Sequence, residues 1–141
     1  MEPGLWAEVH GATTHFPIAL IFAAALADTA AVVWWARPAA GRLRAAGAYA
    51  IFAAALGSVP AVVSGLVLTR GEMLGAGALR WHHLFAWPAF TLLIAVAVWR
   101  ALRGAALTRG GCAGCLVALY ALAALIAATG RWGGELLHAF P

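Results

Sequence analysis

Five histidines carry the chemistry open to this chain: His10, His15, His82, His83 and His138. Imidazole is the commonest side-chain metal ligand and an axial ligand of haem iron. The stretch His10-Gly-Ala-Thr-Thr-His15-Phe16-Pro17 stands at the mouth of the first long apolar run, and the other three histidines also border apolar runs. No His-Glu-x-x-His and no Cys-x-x-Cys-His occurs, so the patterns of a zinc-protease helix and of covalent haem attachment are both missing. Two imidazoles hold one iron only if the chain brings them together, so the elements that position them decide the question.

Of the 141 residues, 65% are hydrophobic and only 10% are charged, and the mean hydropathy is +0.90. A soluble domain carries about 25% charged residues, so this chain has too little polar surface to face water. Lipid offers backbone groups no partner outside a helix or a closed barrel, and an all-α integral membrane domain is expected. The net charge of +4 comes from nine arginines and no lysine against five acids. In this setting the charge concerns orientation in the membrane, and no nucleic-acid partner is expected. The opening Met-Glu-Pro-Gly-Leu-Trp-Ala-Glu is acidic where a signal peptide is basic, so the first apolar run is expected to stay in the mature protein. Two cysteines are too few for a disulfide framework.

Four runs reach the length of about 20 apolar residues that crosses a bilayer. They cover about Thr14 to Trp35, Ala45 to Leu68, His83 to Leu102 and Cys112 to Thr129. Short loops between them predict one four-helix up-down-up-down bundle over residues 1–141, with membrane lipid as its surroundings. Thr13 or Thr14 is placed to cap the first helix, Pro17 to sit in its first turn, and Pro60 and Pro88 to fall inside later helices. Alanine strings, Gly57-Ser58 and Ser64-Gly65 allow close helix approach. At one end the loops hold Arg37, Arg42, Arg44, Arg100, Arg103 and Arg109; the other end holds Arg70, Arg80 and Arg131 with Glu2, Glu8, Glu72 and Glu135. Positive loops stay in the cytoplasm, which predicts a bacterial inner-membrane protein with both termini on the periplasmic side.

This threading puts all five histidines at the outer end. His15 and His83 (or His82), each about one turn inside the boundary on diagonal helices one and three, form the leading pair for a bis-histidine b-type haem. Arg70, Arg80 and Trp81 then sit at the rim, where haem propionates need cationic partners. His10 and His138 complete a second centre, which allows a second haem, or line a quinone pocket. Two rival readings use the same residues: histidines that only anchor helices among headgroups, and a copper or zinc ion on His10, His15 and His83. Cys112-Ala-Gly-Cys115 has redox spacing but reads better as small apolar packing at the reducing end. A carboxylate inside a span is a functional hypothesis; Asp28 lies about 20 Å along the helix from His15 at the usual rise, too far to share its centre. It is expected to bond helix two or to help carry protons. Glu135 is either a proton acceptor beside an oxidised quinol or a solvated tail carboxylate.

His10-x4-His15-Phe-Pro-Ile-Ala-Leu followed by Asp28 resembles the opening of the domain-of-unknown-function 2231 family of four-helix bacterial membrane proteins. Ser64-Gly65, a histidine opening helix three, and Gly133-Gly134-Glu135-Leu136 also match its pattern, over nearly the whole chain. The resemblance is to cytochrome b-like membrane proteins. It implies electron transfer near the outer surface, in company with c-type cytochromes or other redox modules. In that family a tyrosine stands two positions before a final histidine, and alignment through Gly-Gly-Glu-Leu puts His138 at the tyrosine and Phe140 at the histidine. The leading expectation is an electron-transfer subunit between a quinone pool and a periplasmic redox protein, within a larger multi-subunit oxidoreductase. The alternatives are a cofactor-free anchor or assembly subunit, which docks other membrane subunits, and a small metal-handling membrane protein that uses the histidines and Asp28.

Overall fold

The computed structural model describes residues 3–104 and 107–139, with side chains through residue 136. Four helices follow one another: α1 (Pro3–Val33), α2 (Ala39–Leu68), α3 (Gly77–Arg103) and α4 (Arg109–Ala139). All four are long and apolar enough to cross a membrane. A helix of 31 residues is about 46 Å long at 1.5 Å per residue, which exceeds the roughly 30 Å hydrocarbon core and reaches through the headgroup layer.

Every helix therefore runs past the apolar stretch that announces it. α1 begins well before Thr13 and Thr14, which do not cap it: Thr13 donates to the Val9 carbonyl and Thr14 to that of Gly11, inside the helix. Pro17 lies in the helix interior, far beyond the first turn. His82 and His83 lie more than one turn into α3, and the His138 backbone belongs to α4. Polar residues at these ends do not stop a helix, because the headgroup layer accepts them and intrahelical bonds satisfy the backbone.

The connections have local causes. Pro38 has no N–H to leave unpaired and stands at the N-cap of α2. After Leu68 the chain turns on Arg70 and Gly71, both at positive φ, and the Gly71 N–H reaches back to the Leu66 carbonyl. α3 ends at Gly104, also at positive φ. Thr108 starts α4, its hydroxyl accepting from the Gly111 N–H at 3.1 Å.

α1 packs most closely on α2 and α3 on α4, while the two hairpins meet more lightly through α1–α4 and α2–α3. α1 and α3 are the diagonal pair. Ile21, Ile51, Leu93, Leu119 and Leu122 are all at most 3% exposed and fill the middle of the bundle. Trp34, Trp81 and Trp99 are exposed near the helix ends, as tryptophans at a membrane interface are.

Candidate functional site

Two polar clusters lie at opposite ends of that apolar layer. At the first, His10 Nδ1 is 2.9 Å from the Ala61 carbonyl and 3.2 Å from Ser64 Oγ. The Ser64 hydroxyl donates to the Pro60 or Ala61 carbonyl, so toward His10 its oxygen accepts. Neither partner can donate, so Nδ1 carries the proton and Nε2 keeps the lone pair. His82 repeats the arrangement on the other hairpin, with Nδ1 3.0 Å from the Thr129 carbonyl. Each ring lies over a glycine. A Cβ on Gly65 would come within 3.0 Å of His10 Cε1, and one on Gly133 within 3.2 Å of His82 Nδ1. His10 of the first hairpin and His82 of the second thus stand at the same end of the bundle.

His83 is 7% exposed, with its ring 5.7 Å from that of His82 and 6.1 Å from Trp87. Its Nδ1 is buried without a hydrogen-bond partner, a costly state for a ring nitrogen. His15 is exposed on α1, whereas His83 is buried on α3. Arg70 and Arg80 are exposed, and Trp81 stacks on Trp132 at 5.8 Å. Glu135 is half exposed and lies 3.9 Å from Arg131 one helical turn back. The His138 side chain and all of Phe140 lie outside the described residues.

The hydrogen bonds of His10 and His82 are of the kind that a haem-ligating imidazole makes through its other nitrogen. A metal-ligating imidazole typically donates its other N–H to a carbonyl or carboxylate, which fixes the tautomer and the ring. His10 and His82 have that bond and His83 lacks it. Among the described residues no three His, Cys, Asp or Glu side chains converge as a cage for a bare ion.

The second cluster was only half visible in the sequence. Asp28, fully buried, forms an ion pair with Arg100 of α3, not a bond to helix two. Arg100 is therefore no loop residue: it is 5% exposed, and its other nitrogen donates to the Arg44 carbonyl of α2 at 3.1 Å. Cys115 of α4 is buried near this pair, and Cys112 is fully buried beside it. All four helices thus contribute, and Gly47 of α2 supplies the gap, since a Cβ there would stand 2.5 Å from Asp28 Oδ1. The available signal was the residue spacing. Arg100 follows buried Val96 and Ala97 by four and three positions, which puts it on their helical face.

Comparison with known families matches residues 7–140 to the profile described as "Predicted membrane protein (DUF2231)". The chain belongs to that family. No curated protein and no solved structure matches it.

Proposed function

We propose that this DUF2231 membrane protein is an electron-transfer subunit whose histidine end holds a b-type haem. It would pass electrons between a quinone pool and a periplasmic redox protein such as a c-type cytochrome. The observation that carries the reading is the placement of His10, His82 and His83, from two hairpins, at one end of the bundle, with His10 and His82 each bonded through Nδ1 to a backbone carbonyl. Haem bound there supplies reversible one-electron iron chemistry. The chain's own part is to present neutral imidazoles in a fixed tautomer, through Ala61, Ser64 and Thr129, and to exclude water with the apolar layer beneath.

That layer also argues against a metal-transport reading. Ile21, Ile51, Leu93, Leu119 and Leu122 close the bundle between the histidines and Asp28, and they offer a hydrated ion or a proton no polar step. A second reading, docking of another membrane subunit without a cofactor, has one observation in its favour. Gly110, Gly114 and Ala118 of α4 line an open groove with Ala95 and Trp99 of α3, and small residues let helices approach closely.

The test is a reduced-minus-oxidised optical spectrum of the purified full chain, with iron analysis. Soret and alpha bands with stoichiometric iron support the proposal. A colourless, iron-free protein after expression with ample haem sinks it, and firm co-purification with other membrane subunits then favours docking.

A further inference from the structure

Several buried positions of the second hairpin repeat those of the first at a constant shift. Asp28 and Arg100 are 72 positions apart, and the same shift carries Ile21 onto Leu93, Ala24 onto Val96 and Ala25 onto Ala97, all buried. A second constant shift relates α2 to α4. It carries Ile51 onto Leu119 and Ala54 onto Leu122, each almost fully buried. It also carries Gly47, which abuts Asp28, onto the buried Cys115. Both hairpins enter from the same end, and two constant shifts of this kind are what a two-fold axis along the bundle would produce.

The same two shifts reach the histidine end. The first carries His10 onto His82, and the second carries Ala61 onto Thr129 and Gly65 onto Gly133. The carbonyl that accepts from each Nδ1 and the glycine under each ring are therefore equivalent. By contrast, His83 corresponds to Gly11 and His15 to Trp87, so neither has an equivalent imidazole.

We infer that His10 and His82 are a two-fold related ligand pair, each offering Nε2 to one centre on the axis between the hairpins, and that this centre is an iron macrocycle with two axial sites. This rests on the haem reading of the same end. Two equivalent neutral imidazoles suit axial ligation of a planar ring, whereas a tetrahedral ion needs four ligands. The lighter packing between hairpins than within them is where a flat group enters with least disruption. His83, beside His82, has a buried Nδ1 without a partner, which would suit a polar substituent of such a group.

The experiment loads the purified full chain with hemin and follows bound-haem stoichiometry, the optical spectrum and the ferric electron paramagnetic resonance signal. His10→Ala and His82→Ala are each expected to turn a six-coordinate low-spin signal into a high-spin one, and added imidazole to restore it. His15→Ala and His83→Ala are expected to stay low-spin. Melting curves separate lost ligation from lost folding, and imidazole rescue secures the distinction where haem is weakly held. Wild-type protein that takes up no haem overturns the haem reading together with this inference. Wild-type protein that binds haem and keeps its low-spin signal in the His10 and His82 variants overturns the pairing alone.

Discussion

Arg100 and Asp28 form an ion pair across the diagonal of the bundle, between α1 and α3. Neither side chain reaches solvent, and the Arg44 carbonyl also accepts from the guanidinium. Burying two charges costs several kcal/mol per ion, which their attraction offsets only if both are present. Asp28→Ala or Arg100→Met alone should therefore lower stability by about 3–5 kcal/mol, the range for an orphaned buried charge. The double substitution Asp28→Leu with Arg100→Met should recover most of that loss. Denaturant titration of the purified protein in lipid nanodiscs decides it; a double variant as unstable as the sum of the singles would show that the pair does not act as a unit.

Gly47 gives this ion pair its space, and Gly47→Ala should cost about 1–3 kcal/mol, the usual range for overpacking. The Cβ cannot fit at 2.5 Å from the carboxylate oxygen, so the Asp28 side chain must move away from Arg100. Gly41→Ala, on the same helix with nothing within 4 Å of its Cβ, is the control and should be neutral or slightly stabilising. Equal melting temperatures for the two variants would refute the steric argument.

The four spans, their order and the gathering of histidines at one end were all legible, because hydropathy and loop length determine them. Two things were hidden. Which histidine faces inward depends on rotation about the helix axis, and in a chain whose lipid side is as apolar as its core no amphipathic stripe reports that rotation. Hence His15 looked better than His10, although His10 is the one bonded to α2. The repeat was hidden because its equivalent positions keep size or role and not identity. Ile21 answers Leu93, and the charge inverts from Asp28 to Arg100. Ser64-Gly65 and Gly133 were noticed as family motifs; their work is to receive His10 and His82.

The glycine cradles lead to a matched pair of outcomes. Gly65→Ala should push on the His10 ring and Gly133→Ala on His82, since each Cβ would stand within 3.0–3.2 Å of an imidazole atom. Each substitution should cost about 1–3 kcal/mol and, in hemin-loaded protein, broaden or shift the low-spin signal. Gly130→Ala, one turn away on α4 with open space at its Cβ, should do neither. An unchanged signal in both cradle variants would detach the glycines from the histidines.

Cys112 and Cys115 are buried at 0% and 5% exposure, and both are free thiols. In folded protein they should resist maleimide labelling even with a membrane-permeant reagent, and label fully once unfolded in detergent and urea. Because Arg100 is buried near Cys115 and pairs with Asp28, Arg100→Met, which breaks that pair, should loosen this end and speed Cys115 labelling at least several-fold. A Cys115 that labels rapidly in the intact wild-type bundle would show that this face of α4 is open.

Orientation rests on fewer arginines once Arg100 is placed in the core. Arg37, Arg42, Arg44, Arg103 and Arg109 remain at the end near Asp28, against Arg70, Arg80 and Arg131 at the histidine end. At the first end Arg44 and Arg103 also lie over Trp35 and Trp99, at 4.4 and 4.9 Å, which anchors them in the interface. The five-to-three bias, with Glu72 and Glu135 on the poorer side, still predicts that the histidine end faces the periplasm. Single cysteines settle it, since the native pair is shielded: Glu72→Cys should label in intact cells with an impermeant maleimide, and Arg42→Cys only after the membrane is opened. The reverse pattern would put the histidines in the cytoplasm and remove the periplasmic redox partner from the proposal, while leaving the His10–His82 pairing untouched.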